Sequence, residues 1–148
     1  MPPLVRRYLK TAIGFLIFGV GLGVYMLARR ELAGVWATPW WISAHTHAIL
    51  VGFVMMMILG VALWMFPRPA KEDRQFDPRL AEAAYWCLAL GTASRVAGEL
   101  ARPLSGATAL RWIVVLGGAA QAAGLALFFW TMWTRIRGRP DGEPIVRG

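Results

Sequence analysis

The two histidines of this chain stand two residues apart, as His45-Thr46-His47, at the mouth of an apolar segment running to Phe66. A helix turns about 100° per residue, so side chains at i and i+2 point roughly 200° apart and one ion can hardly take both rings. One imidazole on each side of a helix suits two separate cofactors or two neighbouring subunits. It suits a compact tetrahedral zinc site poorly. Met55-Met56-Met57 offers soft thioethers of the kind that bind copper. Three consecutive positions spread over about 200° of a helix, so these side chains are expected to pack.

Other polar groups lie inside or beside apolar runs. Arg95 and Glu99 are one helical turn apart on one face and are expected to pair. A guanidinium there could also hold an anionic group bidentately, because ionisable residues at membrane depth often mark function. Gln121 is expected to hydrogen-bond to another helix. Cys87 is the single cysteine and sits within an apolar run, so it is read as packing.

These residues must be positioned by membrane helices. The chain has 148 residues, 57% of them hydrophobic, which is too apolar for an ordinary soluble domain. Four runs, at about Leu9–Ala28, Ser43–Phe66, Leu80–Ala97 and Ala109–Thr134, approach the ~20 residues needed to cross ~30 Å of hydrocarbon. The expectation is an all-α fold, a single domain of four transmembrane helices over residues 1–148. The first run resembles a secretory signal, but its apolar core exceeds that pattern and lacks a small-x-small cleavage site, so a retained helix is expected. Gly19 and Gly23 leave a smooth strip on it for a helix or a flat cofactor. Ser43 is expected to cap the second helix, placing both histidines in its first turn, where the helix dipole favours neutral, ligating rings.

Net charge is +8, yet the basic residues flank apolar spans and form no patch for nucleic acid. Eleven lie on one side (Arg6, Arg7, Lys10, Arg68, Lys71, Arg74, Arg79, Arg135, Arg137, Arg139 and Arg147). Five lie on the other (Arg29, Arg30, Arg95, Arg102 and Arg111). The positive-inside rule puts both termini in the cytoplasm, in an inner membrane, and the histidines near the outer face. Trp36, Trp40, Trp41 and Trp112 would mark the outer interface, and Trp64, Trp130 and Trp133 the inner one. The loop from Pro67 to Pro78 mixes charges without apolar periodicity and reads as a solvated turn.

From His45-x-His47 through Gly60 to Phe66-Pro67, the second segment resembles the tenth transmembrane helix of subunit I of the haem–copper oxidases. The likeness covers 23 positions, about a sixth of the chain. In that family the two histidines ligate different haems from opposite sides of the helix. The resemblance therefore implies His45 and His47 as axial ligands of haem iron, with haem b as cofactor. It also implies one of three four-helix arcs around a pseudo-threefold axis, so that a homotrimer would restore twelve helices, each haem lying between two subunits. Arg102 occupies the loop where the family neutralises haem propionates, and Arg95 competes for that role. Trp40 and Trp41 would pack at the haem edge or anchor the interface.

The departures from that family matter equally. No histidine lies outside the second helix to hold a second metal, and the spans show no acidic proton-channel motif. A complete oxygen or nitric-oxide reductase site and proton pumping are therefore not expected. The leading expectation is a bis-histidine electron carrier or haem sensor, served by a quinol or cytochrome redox partner. Two alternatives are a cofactor-free accessory or assembly subunit, and a protein binding copper or zinc with three copies of one histidine at a trimer axis. Small multidrug exporters share the helix number but carry a buried glutamate in the first helix, which is absent here.

Overall fold

The computed structural model describes residues 1–66 and 77–136. The charged turn expected around Arg68, Lys71, Glu72, Asp73 and Arg74 falls outside these, apart from Asp77 and Pro78. Arg137, Arg139 and Arg147 also lie outside the described residues. The described residues are helical and contain no strand: α1 (Pro3–Ala33), α2 (Pro39–Met65), α3 (Pro78–Ala101) and α4 (Thr108–Met132), followed by a 3₁₀ turn at Trp133–Arg135.

Local chemistry sets the ends of these helices. Gly34 leaves α1 at φ +63°, and the amides of Gly34 and Val35 close onto the carbonyls of Arg30 and Arg29, the glycine-terminated helix end. Pro39 begins α2, with the Thr38 side chain accepting from the Trp41 amide. A proline at the first helical position loses no needed donor, and its fixed φ is already helical. The expectation that Ser43 caps this helix is thereby corrected. The cap lies five residues earlier, at Thr38, and the histidines lie beyond the helix's first turn, where the dipole's end effect has declined. Asp77 caps α3 through the Arg79 amide at 2.7 Å, and Pro78 again takes the first helical position.

α2 is not uniform. After His47, residues Ala48–Met55 form a π-helical segment before α-helix resumes at Met56. π turns usually appear as single bulges at functional sites; this one follows the histidine pair directly.

Glycines show how the helices meet. Gly19 faces Ala48 and Ile49, Gly23 faces His45, Gly52 faces Phe15 and Gly60 faces Tyr8, so α1 and α2 run antiparallel along the strip expected from Gly19 and Gly23. Gly91 meets Gly117 and Gly98 meets Val114, making α3 and α4 a second antiparallel pair. Contacts of Arg7 with Glu82 and of Trp41 with Leu100 join the two pairs. The result is an up-down-up-down four-helix arrangement. Its main core, at the end away from the histidines, gathers Tyr8, Met56, Leu59, Tyr85, Leu88, Phe128 and Met132. Met56 is fully buried and Met55 and Met57 pack against that core, as expected for the methionine run.

Three helices are long and apolar enough to cross a membrane: α1, α2 and α4, with mean hydropathy of 2.0, 2.5 and 1.8 over their best stretches. Only 11%, 28% and 22% of those stretches is buried within the chain. So much apolar surface in water would be untenable; it suits lipid contact.

Candidate functional site

His45 points from α2 onto α1. Its Nδ1–H donates to the Gly19 carbonyl at 2.9 Å, a carbonyl being unable to donate in return. The ring lies over Gly23, where a Cβ would come within 2.9 Å of Cε1. The glycine strip thus admits the imidazole as well as the helix.

His47 points toward α3. Its Nδ1–H donates to the Ser43 carbonyl at 2.8 Å, with the Ser43 hydroxyl 3.3 Å away. That hydroxyl donates onward to Glu99 Oε1 at 2.9 Å. Glu99 Oε2 stands 3.7 Å from His47 Nδ1 and has no hydrogen-bond partner among the described residues. The Glu99 side chain is only 2% exposed. Its charge is compensated by Arg95, whose Nε donates to Oε1 at 3.1 Å.

The chain of bonds continues into α4. Arg95 Nη1 donates to Gln121 Oε1 at 3.3 Å, and Gln121 Nε2 donates to Thr92 Oγ1 at 3.0 Å. The expected Arg95–Glu99 pair and the interhelical bond of Gln121 are both present, within a single polar network joining α2, α3 and α4. Buried polar groups must find partners, and here they find one another. Two donors of Arg95 are already engaged by protein acceptors.

Arg102 stands apart. Its guanidinium carbon lies 3.9 Å from the centre of the Trp40 ring, a cation–π contact, and it meets neither histidine nor the network. Trp41 donates from Nε1 to the Leu100 carbonyl at 3.3 Å, and its ring lies tilted by 41° against that of Tyr25. Cys87 is a free, partly buried thiol.

Sequence reasoning missed Ser43 as the link between His47 and Glu99, although its place four residues before His47 was a usable signal. Thr92 carried no comparable cue. Among the described residues no three His, Cys, Asp or Glu side chains gather as a metal site.

These features define a chain whose described elements are all helices, three of them fit for a membrane, with two divergent imidazoles near one end. No family model, curated protein or solved structure matches it.

Proposed function

We propose that this chain is a membrane-embedded b-type haem protein in which His45 and His47 serve as axial ligands. One observation carries the reading. Both rings give their Nδ1–H to a backbone carbonyl, of Gly19 and Ser43 respectively, which leaves each Nε2 as the lone-pair donor. Ligating histidines commonly donate their other ring N–H in this way, fixing tautomer and orientation. The residues present therefore fit the group. Haem would supply one-electron chemistry when bound. The protein's part is to aim the rings through Gly19, Gly23 and Ser43, and to hold them at one end of an apolar bundle.

The resemblance of α2 to the oxidase helix, which belongs to one of three such arcs, extends the proposal to a homotrimer in which each iron takes imidazoles from two subunits. The proposal also includes four membrane crossings with both termini on the cytoplasmic side of an inner membrane. Two histidines per iron leave no open position, which favours electron transfer with a quinol or cytochrome, or sensing through ligand displacement, over substrate reduction.

The deciding experiment is the oxidised and reduced visible spectrum of detergent-purified protein, with a pyridine haemochrome assay. About one b-type haem per chain, low-spin and insensitive to carbon monoxide, is expected from the proposed sharing of two imidazoles by each iron. His45→Ala and His47→Ala should each lose that spectrum; unchanged spectra in both variants would refute ligation. A second reading, a cofactor-free accessory subunit, draws on the bond of His47 to Ser43 and its nearness to Glu99, a structural use of that ring. A colourless protein after haem-supplemented expression would select it, and metal analysis would then test copper and zinc.

A further inference from the structure

Beside α1 and α3, toward the histidine end, runs an apolar groove of about 710 Å³. Ile17, Phe18 and Leu22 of α1 form one wall, Leu100 and Leu104 the other, and Trp41 joins them from α2. The volume falls in the range of small-molecule sites, roughly 300–1,000 Å³. Among the described residues, no carboxylate, imidazole or lysine lines it.

The charge lies at its rim. Tyr25 and Trp41 both line the groove, with ring centres 5.6 Å apart. The Arg29 guanidinium stands 5.9 Å from the first ring and 6.0 Å from the second. Arg102 follows Ala101, another lining residue, and rests on Trp40. Neither arginine has a carboxylate partner among the described residues, in contrast to Arg7, Arg30 and Arg95. Two cations held on aromatic faces above an apolar channel call for an amphiphile with an anionic head.

We infer that this groove binds an anionic phospholipid, one acyl chain lying along α1 and α3 and the phosphodiester engaging Arg29 and Arg102. Guanidinium groups match phosphate oxygens in fork geometry. A quinol fits less well, because its oxidation releases protons and the lining offers no basic group to receive them. This inference stands apart from the haem reading, since no histidine lines the groove.

Native mass spectrometry of the full chain, offered equal amounts of dioleoyl-phosphatidylglycerol and dioleoyl-phosphatidylcholine, tests it. Phosphatidylglycerol should be retained about tenfold over phosphatidylcholine, which has the same phosphodiester but also a choline cation that the two guanidinium groups repel. The double variant R29Q/R102Q should bind both lipids about equally. Gly21→Phe should weaken both, because a Cβ at Gly21 meets nothing within 4 Å and its ring would enter the groove. Equal retention by the wild type overturns the inference, as does selectivity that survives R29Q/R102Q. Lipid retention unaltered by Gly21→Phe, with a chain–chain dimer lost instead, overturns it in favour of a second copy. Should Gly21→Phe fail to fold, the arginine double variant decides alone.

Discussion

Glu99 is a buried carboxylate whose charge is answered by one cation, Arg95, and whose second oxygen has no hydrogen-bond partner among the described residues. Removing a member of such a pair leaves the other charge uncompensated, which costs about 3 kcal/mol. Glu99→Ala should destabilise the protein by that order in reversible detergent unfolding, and Glu99→Gln by less, because an amide oxygen still accepts from Ser43. Equal stability of Glu99→Ala and wild type would show that the network contributes nothing to the fold. The haem reading is tested separately at Gly23, where an added methyl must displace the His45 ring. Gly23→Ala should lower haem content although both ligands remain, whereas Gly14→Ala, whose added Cβ meets nothing within 4 Å, should retain it. The divergence of the histidines was legible from their spacing alone. Their hydrogen-bond partners were not, because Gly19 and Ser43 contribute backbone carbonyls, which every residue carries.

The helices themselves are held by close backbone approach. Gly117 faces the Gly91 carbonyl, and a Cβ there would come within 2.8 Å of it and 2.9 Å of the Arg95 amide nitrogen. Backbone cannot swing aside as a flexible side chain does. Overpacking of this kind costs about 2 kcal/mol, against about 1 kcal/mol gained from alanine's helix propensity. Gly117→Ala should therefore lose about 1 kcal/mol net by the same difference, and Gly117→Leu more. A stabilised Gly117→Ala in the unfolding assay would mean that α3 and α4 separate more easily than their contact implies. At this scale the apolar runs revealed the helices, while the start of α2 was misplaced. Ser43 and Thr38 are both cap residues by type, and Pro39 was the signal that selects Thr38. The π segment was illegible, since Ala48–Met55 is apolar throughout and its hydrophobic pattern carries no period to distinguish one helix type from another.

The molecule as a whole is unevenly apolar, and α3 is the exception that explains the rest. It lies outside the three helices apolar enough to cross a membrane, yet ten of its residues are buried, the most of any helix. Its modest hydropathy has two sources. Small residues such as Gly91 and Gly98 let α4 approach, and its charges meet partners within the chain: Glu82 with Arg7, and Arg95 with Glu99. A helix that faces protein need not be as oily as one that faces lipid, so α3 is expected to cross behind its neighbours. Charge alone does not decide the matter. Among the described residues, Arg6, Arg7, Lys10, Arg79 and Arg135 balance Arg29, Arg30, Arg95, Arg102 and Arg111 in number, and the excess expected on one side comes from basic residues outside them. Labelling resolves it. In a Cys87→Ser background, a cysteine at Gly106, beyond the end of α3, should react with a membrane-impermeant maleimide on intact cells. A cysteine at Pro78, at its start, should react only after permeabilisation. Reaction of both from the same side would mean that α3 does not cross, and that the polar network of Ser43, His47, Arg95 and Glu99 lies at the level of the membrane surface instead of at membrane depth.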